Sequence, residues 1–560
     1  MDEHRDLAPL SSLGSGKRRA GPVRTQKPVY VDLLPPCNAG CPAGENIQAW
    51  LAQAKDGRHE QAWRILTADN PFPAIHGRVC YHPCETACNR ALMDGAVSIH
   101  SVERFLGDLG IEQGWQFTAP AQRSGKKVLV VGSGPSGLSA AYHLSILGHD
   151  VTVRDNSEKP GGMMRYGIPS YRLPRTVLDA EIARITALGV RFEQNHVVTD
   201  LQREMEEGGF DAAFVAVGAH LSKRVDIPNQ DAGRVLDAVS FLRGVETGER
   251  ADDLGRVAVY GGGNTAMDAA RVARRLGADD TIIVYRRTRE QMPAHEDEAT
   301  DAEDEGIRIN WLRTISSMGE EGALTVEIQE LDEAGRPQPT GQFETLEADT
   351  VILALGQESD TEFLKNMPGI EFDWDVVQVD PATLMTGAPG VFAGGDAVPS
   401  ERTVTVGVGH GKKAARNIDA WLRGGAYQPG PKHPEATLDK LNLWYFGDHA
   451  RREQEALDPA TRVAAFDEVL SGLDSDEAQF EAGRCLSCGN CFECDGCLGS
   501  CPEDAIVKLG VGHRYKYDYD KCTGCGTCAR QCPVHAIEMI GESDPLPVNV
   551  FLPPSGGAGR

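Results

Sequence analysis

Fifteen cysteines crowd into two stretches, Cys37 to Cys88 and Cys485 to Cys532, and none occurs between them. Even spreading would suggest disulfides in a secreted domain, whereas thiols grouped at short, regular intervals in a long chain without a secretion signal are the pattern of metal ligands. Such grouping requires loops and short helices that converge on a common centre at both ends of the chain. A long cysteine-free body lies between them.

The C-terminal stretch contains C-x2-C-x2-C-x3-C-P twice: Cys491, Cys494, Cys497 and Cys501 before Pro502, then Cys522, Cys525, Cys528 and Cys532 before Pro533. This is the run of bacterial ferredoxins, in which the fourth cysteine of each run serves the other cluster. One 4Fe-4S cluster is therefore expected on Cys491, Cys494, Cys497 and Cys532, and a second on Cys522, Cys525, Cys528 and Cys501. Zinc is the alternative, but zinc sites usually pair two C-x2-C knuckles without the doubled spacing. CPEDAI (501–506) and CPVHAI (532–537) are the halves of an internal repeat, giving a small α+β ferredoxin-like domain over 485–540.

A chain of 560 residues exceeds one hydrophobic core and implies roughly three to four domains. Residues 1–30, rich in Ser, Gly, Pro and basic side chains, are expected to form a flexible arm. Helical stretches such as NIQAWLAQA and EQAWRILTA between the first cysteines predict a helical iron–sulfur domain over 31–122. From Lys126 short apolar runs feed helices through glycine-rich turns, and this pattern starts twice. That predicts an α/β body of two Rossmann-like, doubly wound domains, one over 123–230 and 350–425 and the other over 231–349. A helical linker is expected over 426–484 and a loose tail over 541–560. The formal charge of -26 disfavours nucleic acid and anionic membranes as partners. No apolar run reaches the roughly 18 residues of a spanning helix, and MDEHRDLAPL lacks a signal core, so the expected location is the cytoplasm.

GSGPSG follows the strand KVLVV and opens an Ala/Leu-rich helix, presenting Gly132, Gly134, Pro135, Ser136 and Gly137 as a dinucleotide cradle. The first glycine permits the turn, the second admits a pyrophosphate and the third packs helix on strand. Asp155 ends the next strand, where an acid would hold a ribose hydroxyl. GGGNTA repeats the arrangement with Gly261, Gly263, Asn264, Thr265 and Ala266, but its next strand ends in Arg286 and Arg287. Guanidinium groups there suit the 2′-phosphate of NADP rather than NAD; the competing reading pairs them with acids such as Glu290.

These motifs, with GRVCYHPCETAC (77–88), GGMMRYGIPSYRLP (161–174), FVAVGAH (214–220), VYRRTREQMPA (284–294), DTVILALGQ (349–357) and GVFAGGDAV (390–398), resemble the glutamate synthase small subunit family, which includes the N-terminal half of dihydropyrimidine dehydrogenase. The resemblance implies FAD in the first domain and NADP(H) or NAD(H) in the second, with the second inserted in the first. It adds Gly162, Gly218 and Gly356 to the cofactor-binding set, places Gly395 and Asp396 at the flavin ribityl and phosphate, and sets a helix start at HGKKAA (410–415) before the isoalloxazine. The family's N-terminal domain opens with an extra C-x2-C, but here no cysteine precedes Cys37, and RCLSCG (484–489) resembles the missing opening. Cys485 and Cys488 are accordingly expected to join Cys37 and Cys88 around one cluster. Cys41, Cys80 and Cys84 would hold another, with Glu103 as the fourth ligand, since relatives carry a Gln or Glu shortly after the last cysteine. Four 4Fe-4S clusters result.

Hydride moves between nicotinamide and flavin without a side-chain acid or base, so no catalytic residue is assigned. The expected protein is an NAD(P)H-dependent FAD and iron–sulfur oxidoreductase, the electron-transfer subunit of a hetero-oligomer. Its partner would be a catalytic subunit of the glutamate synthase, 2-oxoacid or aldehyde oxidoreductase kind. A stand-alone NAD(P)H:ferredoxin oxidoreductase and, more remotely, a non-enzymatic cluster-bearing adaptor are the alternatives.

Overall fold

The structure, a computed structural model, describes residues 24–546 apart from 224, 230–232, 250–252, 432 and 511. KVLVV becomes β2 (Lys127–Val131), buried from Val128 onward. It lies at the centre of a parallel sheet, between β3 (Asp150–Arg154) and β5 (Ala212–Val215), with β4 (Arg191–Glu193) and β18 (Val391–Ala393) at the edges. Strands covered on both faces carry continuous Val, Leu and Ala, since no face meets water. Helix Val404–Leu422 crosses the helix Pro135–Ile146 closely enough that a Cβ on Gly411 would lie 2.3 Å from Ser136 O.

The second sheet repeats the plan. β8 (Arg256–Tyr260) is flanked by β9 (Asp280–Tyr285) and β14 (Thr350–Leu353), with β10 (Arg308–Trp311) and β7 (Arg234–Asp237) outside them, all parallel. This corrects the expected return to the flavin domain at residue 350, because Thr350–Leu353 stays in the nucleotide sheet, between β7 and β8. Either sheet would accept that buried apolar run, and only pairing decides between them. The crossing between domains is instead the antiparallel pair β6 (Leu221–Ser222) and β15 (Gln357–Glu358). An antiparallel sheet of β11 (Arg313–Met318), β12 (Ala323–Leu331) and β13 (Pro337–Glu347) packs Ile315, Leu324 and Val326 on the second sheet. A small hairpin, β16 (Phe372–Asp373) with β17 (Val376–Val377), lies beside the first.

The N-terminal helical domain encloses Trp50, Leu51, Leu66, Val102 and Leu106, and Cys37, Cys84 and Ala482 share that core. Ala482 comes from helix Ser475–Gly483, which opens on a capping box between Asp474 and Glu477. That helix is the longest in the segment 426–484, which otherwise runs as turns and extended strap; its Pro and Gly residues (QPGPKHP, 428–434) prevent the helical linker expected there. The ferredoxin-like module contains helices Gly496–Ser500 and Thr527–Gln531 and the hairpin β19 (Ile506–Lys508) with β20 (Tyr515–Tyr517). Its last strand, β21 (Ile537–Gly541), pairs antiparallel with β1 (Gln26–Tyr30). Gln26–Tyr30 is thus a strand rather than the end of a flexible arm, and Gly541 belongs to the module rather than the tail. The rest of the expected arm, 1–23, and of the tail, 547–560, lies outside the described residues. Among the described residues no helix is long and apolar enough to cross a membrane.

Candidate cofactor cavity and cysteine clusters

Both glycine motifs end on helices without a side-chain cap. Gly134 is the N-cap of Pro135–Ile146 and Gly263 that of Asn264–Arg275, so no capping side chain competes there with an external acceptor such as phosphate. A Cβ on Gly134 would meet no atom nearer than 4.0 Å, and one on Gly263 nothing within 4 Å. Both cradles are open. Gly132 differs, with φ +102° and Ala216 O only 2.4 Å from where its Cβ would stand, so it serves the turn itself.

Both cradles open into one cavity of about 1440 Å³, above the usual size of a one-ligand pocket. Gly132, Gly134, Pro135, Ser136, Asp155, Gly162, Gly218, Gly395 and Asp396 line the flavin side. Gly261, Gly263, Asn264, Thr265, Arg286, Arg287 and Gly356 line the nucleotide side. Gly137 and Ala266 lie outside the lining and pack helix against strand. Ser136 Oγ is buried without a partner, and burial pushes the Asp396 carboxyl up to about 6. Unpaired polar groups of this kind fit a bound polar cofactor, and the cavity accommodates FAD and NAD(P)H together.

Asp155, expected to hold a ribose hydroxyl, is already engaged within the chain. Its Oδ2 accepts from Ser133 N at 2.6 Å and Ser133 Oγ at 2.7 Å, and its Oδ1 from Ser157 N at 2.7 Å, so it braces the glycine loop. Arg286 and Arg287 do not pair with Glu290, which stands beside Thr288 and Arg289; Arg287 Nε is buried without a partner. The helix start facing the flavin side is Thr403–Gly407 rather than HGKKAA. Thr403 Oγ1 caps it by accepting from Val406 N at 3.2 Å, and Thr403, Val404 and Gly407 line the cavity. Residues 410–415 fall mid-helix, where His410 Nδ1 accepts from Gly395 N at 3.1 Å.

The cysteines gather in four sets. Cys37, Cys88, Cys485 and Cys488 line one small cavity. Burial and then Cys488 push the Cys485 thiol up to about 12, and Asn89 Nδ2 donates to Cys488 Sγ at 3.4 Å. Cys501, Cys522, Cys525 and Cys528 line another cavity. Burial, then Cys532 and Cys494, raises Cys491 to about 11, and Cys491, Cys494 and Cys532 raise Cys497 to about 12 after burial, so these four share a centre. Cys41 and Cys84 are raised by burial and by the nearby Glu103 and Cys80. Thiols crowded away from water with few cations nearby fit a metal centre that takes them as thiolates.

Glu103 is buried and accepts from Asn70 Nδ2 at 2.9 Å, and the same nitrogen donates to Glu45 Oε1 at 2.9 Å. Sequence reasoning missed Glu45, a second buried carboxylate beside Cys41 and Cys80 whose only signal was its place four residues after Cys41. Lys412 was missed too; its Nζ donates to Ala43 O at 2.6 Å and to Asp69 Oδ1 at 2.9 Å, fastening the iron–sulfur domain to the flavin-side helix. Thr405 Oγ1, on that helix, donates to Cys80 Sγ at 3.1 Å. Val79 and Tyr81 line the large cavity, so the Cys80 set stands directly behind its wall.

The family profile described as pyridine nucleotide-disulphide oxidoreductase matches residues 126–411, the segment that builds this cavity. The chain belongs to the pyridine nucleotide-disulphide oxidoreductase family. Profiles described as dihydropyrimidine dehydrogenase domain II, 4Fe-4S cluster, and as 4Fe-4S binding domain match 33–115 and 515–538. Among relatives, the NADP(+)-dependent formate dehydrogenase subunit beta of Moorella thermoacetica is 37% identical over 85% of this chain and 73% of its own length. The NADPH-Fe(3+) oxidoreductase subunit beta of Geobacter sulfurreducens is 33% identical over 81% and 75%. The glutamate synthase [NADPH] small chain of Azospirillum brasilense is 32% identical over 71% and 88%. As a member of the pyridine nucleotide-disulphide oxidoreductase family the chain departs from the family's name in one respect, since no cysteine lines its dinucleotide cavity.

Proposed function

We propose that this chain is the electron-transfer subunit of a larger cytoplasmic oxidoreductase, exchanging electrons between NADP(H) and a partner subunit through FAD and four 4Fe-4S clusters. The observation that carries the reading is the succession of cysteine sets. Cys80 stands behind the cavity wall, Cys41 and Cys37 lie one helix apart, Cys488 and Cys491 sit on one loop, and Cys497 neighbours Cys528. The last set includes Cys525, the one exposed cysteine among the described residues.

Bound FAD would supply the exchange between a two-electron hydride and single electrons, which bound clusters relay. The chain's residues supply position. Gly134 and Gly263 expose helix N-termini to two pyrophosphates, Arg286 and Arg287 present guanidinium groups to a 2′-phosphate, and Thr403–Gly407 closes the flavin side. N–H groups of His82, Ser487, Gly524 and Ala536 donate to Cys80, Cys485, Cys522 and Cys532 sulfurs at 3.2–3.4 Å, the kind of contact that sets a cluster potential. Free thiol ligands require a reducing compartment, which supports the cytoplasm.

The relatives named as beta subunits and as a small chain support a partner that carries the substrate chemistry. Purifying the native protein and identifying what accompanies it tests this. A catalytic oxidoreductase subunit is the expected companion; recovery of a lone chain that reduces ferredoxin with NADPH would replace the reading with a stand-alone reductase.

A further inference from the structure

Tyr81 belongs to the iron–sulfur domain, next to Cys80, yet its side chain reaches into the nucleotide-binding domain. Its ring stacks on the His295 imidazole with centroids 3.8 Å apart and planes 7° from parallel. Its hydroxyl accepts from Asn264 Nδ2 at 2.7 Å and donates to Glu298 Oε1 at 3.0 Å. Asn264 Oδ1 in turn accepts from His295 N at 2.9 Å, so stack and hydrogen bonds close a ring. From the flavin domain, Arg172 meets Glu298 Oε1 at 2.5 Å and both Asp268 oxygens at 2.9 Å. Three domains join on one cluster at the cavity wall.

The covalent link between the two nucleotide-binding domains is slight by comparison. The chain crosses only through β6 and β15, where Ser222 pairs with Gln357 and Lys223 N donates to Gly356 O at 3.0 Å. Two crossing segments of this kind form a hinge, and a few terminal residues absorb rotation about it. Contacts away from the hinge must therefore hold the helix start at Asn264 in register with the flavin side.

We propose that Tyr81 is a positioning residue that latches the nucleotide-binding domain onto the iron–sulfur domain, keeping the Asn264 helix start, the flavin side of the cavity and the Cys80 set in one register. What that register serves rests on the function proposed above. Tyr81→Phe keeps the stack on His295 and leaves Asn264 Nδ2 and Glu298 Oε1 without the hydroxyl; Tyr81→Ala removes both contacts.

The test uses the holoenzyme and three readouts: amide hydrogen exchange at Lys223, the NADPH dissociation constant, and the rate of flavin reduction at saturating NADPH. In Tyr81→Ala, exchange at the hinge should rise and flavin reduction fall, each by about tenfold, the scale of losing one or two buried hydrogen bonds. Tyr81→Phe should recover part of both, with the dissociation constant moving far less than the rate and with full iron and flavin content. Unchanged hinge exchange, a loss confined to the dissociation constant, or a rate loss that tracks lost iron or flavin overturns the latch. A wild-type protein whose flavin neither nucleotide reduces would instead sink the proposed function, and hinge exchange would still decide the latch.

Discussion

Replacing both Cys485 and Cys488 by serine tests the arrangement that ties the two ends of this chain together. They line one cavity with Cys37 and Cys88, and a 4Fe-4S cluster deprived of half its thiolates is lost. If the fifteen cysteines and Glu103 serve four clusters as proposed, iron should fall by a quarter, from about 16 to about 12 atoms per chain. Flavin should stay, since no cysteine lines its cavity. The lost cluster also removes a cross-link that closes a loop of about 400 residues, for which chain-entropy arithmetic gives on the order of 6 kcal/mol. Here that is an upper limit, because helix Ser475–Gly483 and the β1–β21 pairing hold the same ends. The release should be local, freeing the C-terminal module and its strap rather than unfolding the chain. Iron and flavin quantification, low-temperature EPR after reduction and limited proteolysis across residues 448–474 provide the assay. NADPH should still reduce the flavin while electrons fail to reach the ferredoxin-like pair. Wild-type iron in the double variant would refute the assignment.

Arg286→Ala or Arg287→Ala should weaken NADPH binding by roughly 10–100-fold, the range of a lost charge-assisted hydrogen bond of about 1.5–3 kcal/mol, and leave NADH binding alone; equal losses for both nucleotides in a binding titration would contradict the 2′-phosphate role. Gly134→Ala should fold with full iron, because its Cβ approaches no atom within less than 4.0 Å, but the methyl occupies the pyrophosphate cradle and FAD content should drop. Flavin at the wild-type level would place the pyrophosphate elsewhere. Arg484→Ala strips Glu481 of a partner at 2.5 Å and Asp94 of one at 3.0 Å. Glu481 is fully buried and would keep the amide donors Ser98 N at 2.8 Å and Arg452 N at 3.0 Å but lose its counter-charge, so breaking this buried pair should destabilise the clasp around Cys485 by about 3–5 kcal/mol, read in a urea titration followed by cluster absorbance. A shift below 1 kcal/mol, roughly the scale of an exposed pair, would show that the amide donors Ser98 N and Arg452 N suffice for the Glu481 carboxylate.

Local spacing determined the parts of this protein that a few consecutive residues can build. GSGPSG and GGGNTA each carry their own strand, turn and helix start, so the two cradles were legible without a partner segment. The doubled cysteine run assigned the ferredoxin-like sets, because one short helix and one loop present the ligands in each half. Tertiary structure decided whatever depends on residues far apart in the chain. The run Thr350–Leu353 could have joined either sheet and took the second, since both sheets bury such strands alike. The flavin-facing helix starts at the Thr403 cap rather than at HGKKAA, a boundary set by one side-chain hydrogen bond. Gln26–Tyr30 is a strand only because Ile537–Gly541 reaches it. Glu45 carries no local motif, and although Lys412, Tyr81, Arg172 and Asn264 each lie inside a segment legible in the sequence, nothing local shows which distant residues they meet. Their meaning comes from three domains packed against one cavity, where burial turns an ordinary carboxylate, amine or phenol into a contact that must be satisfied.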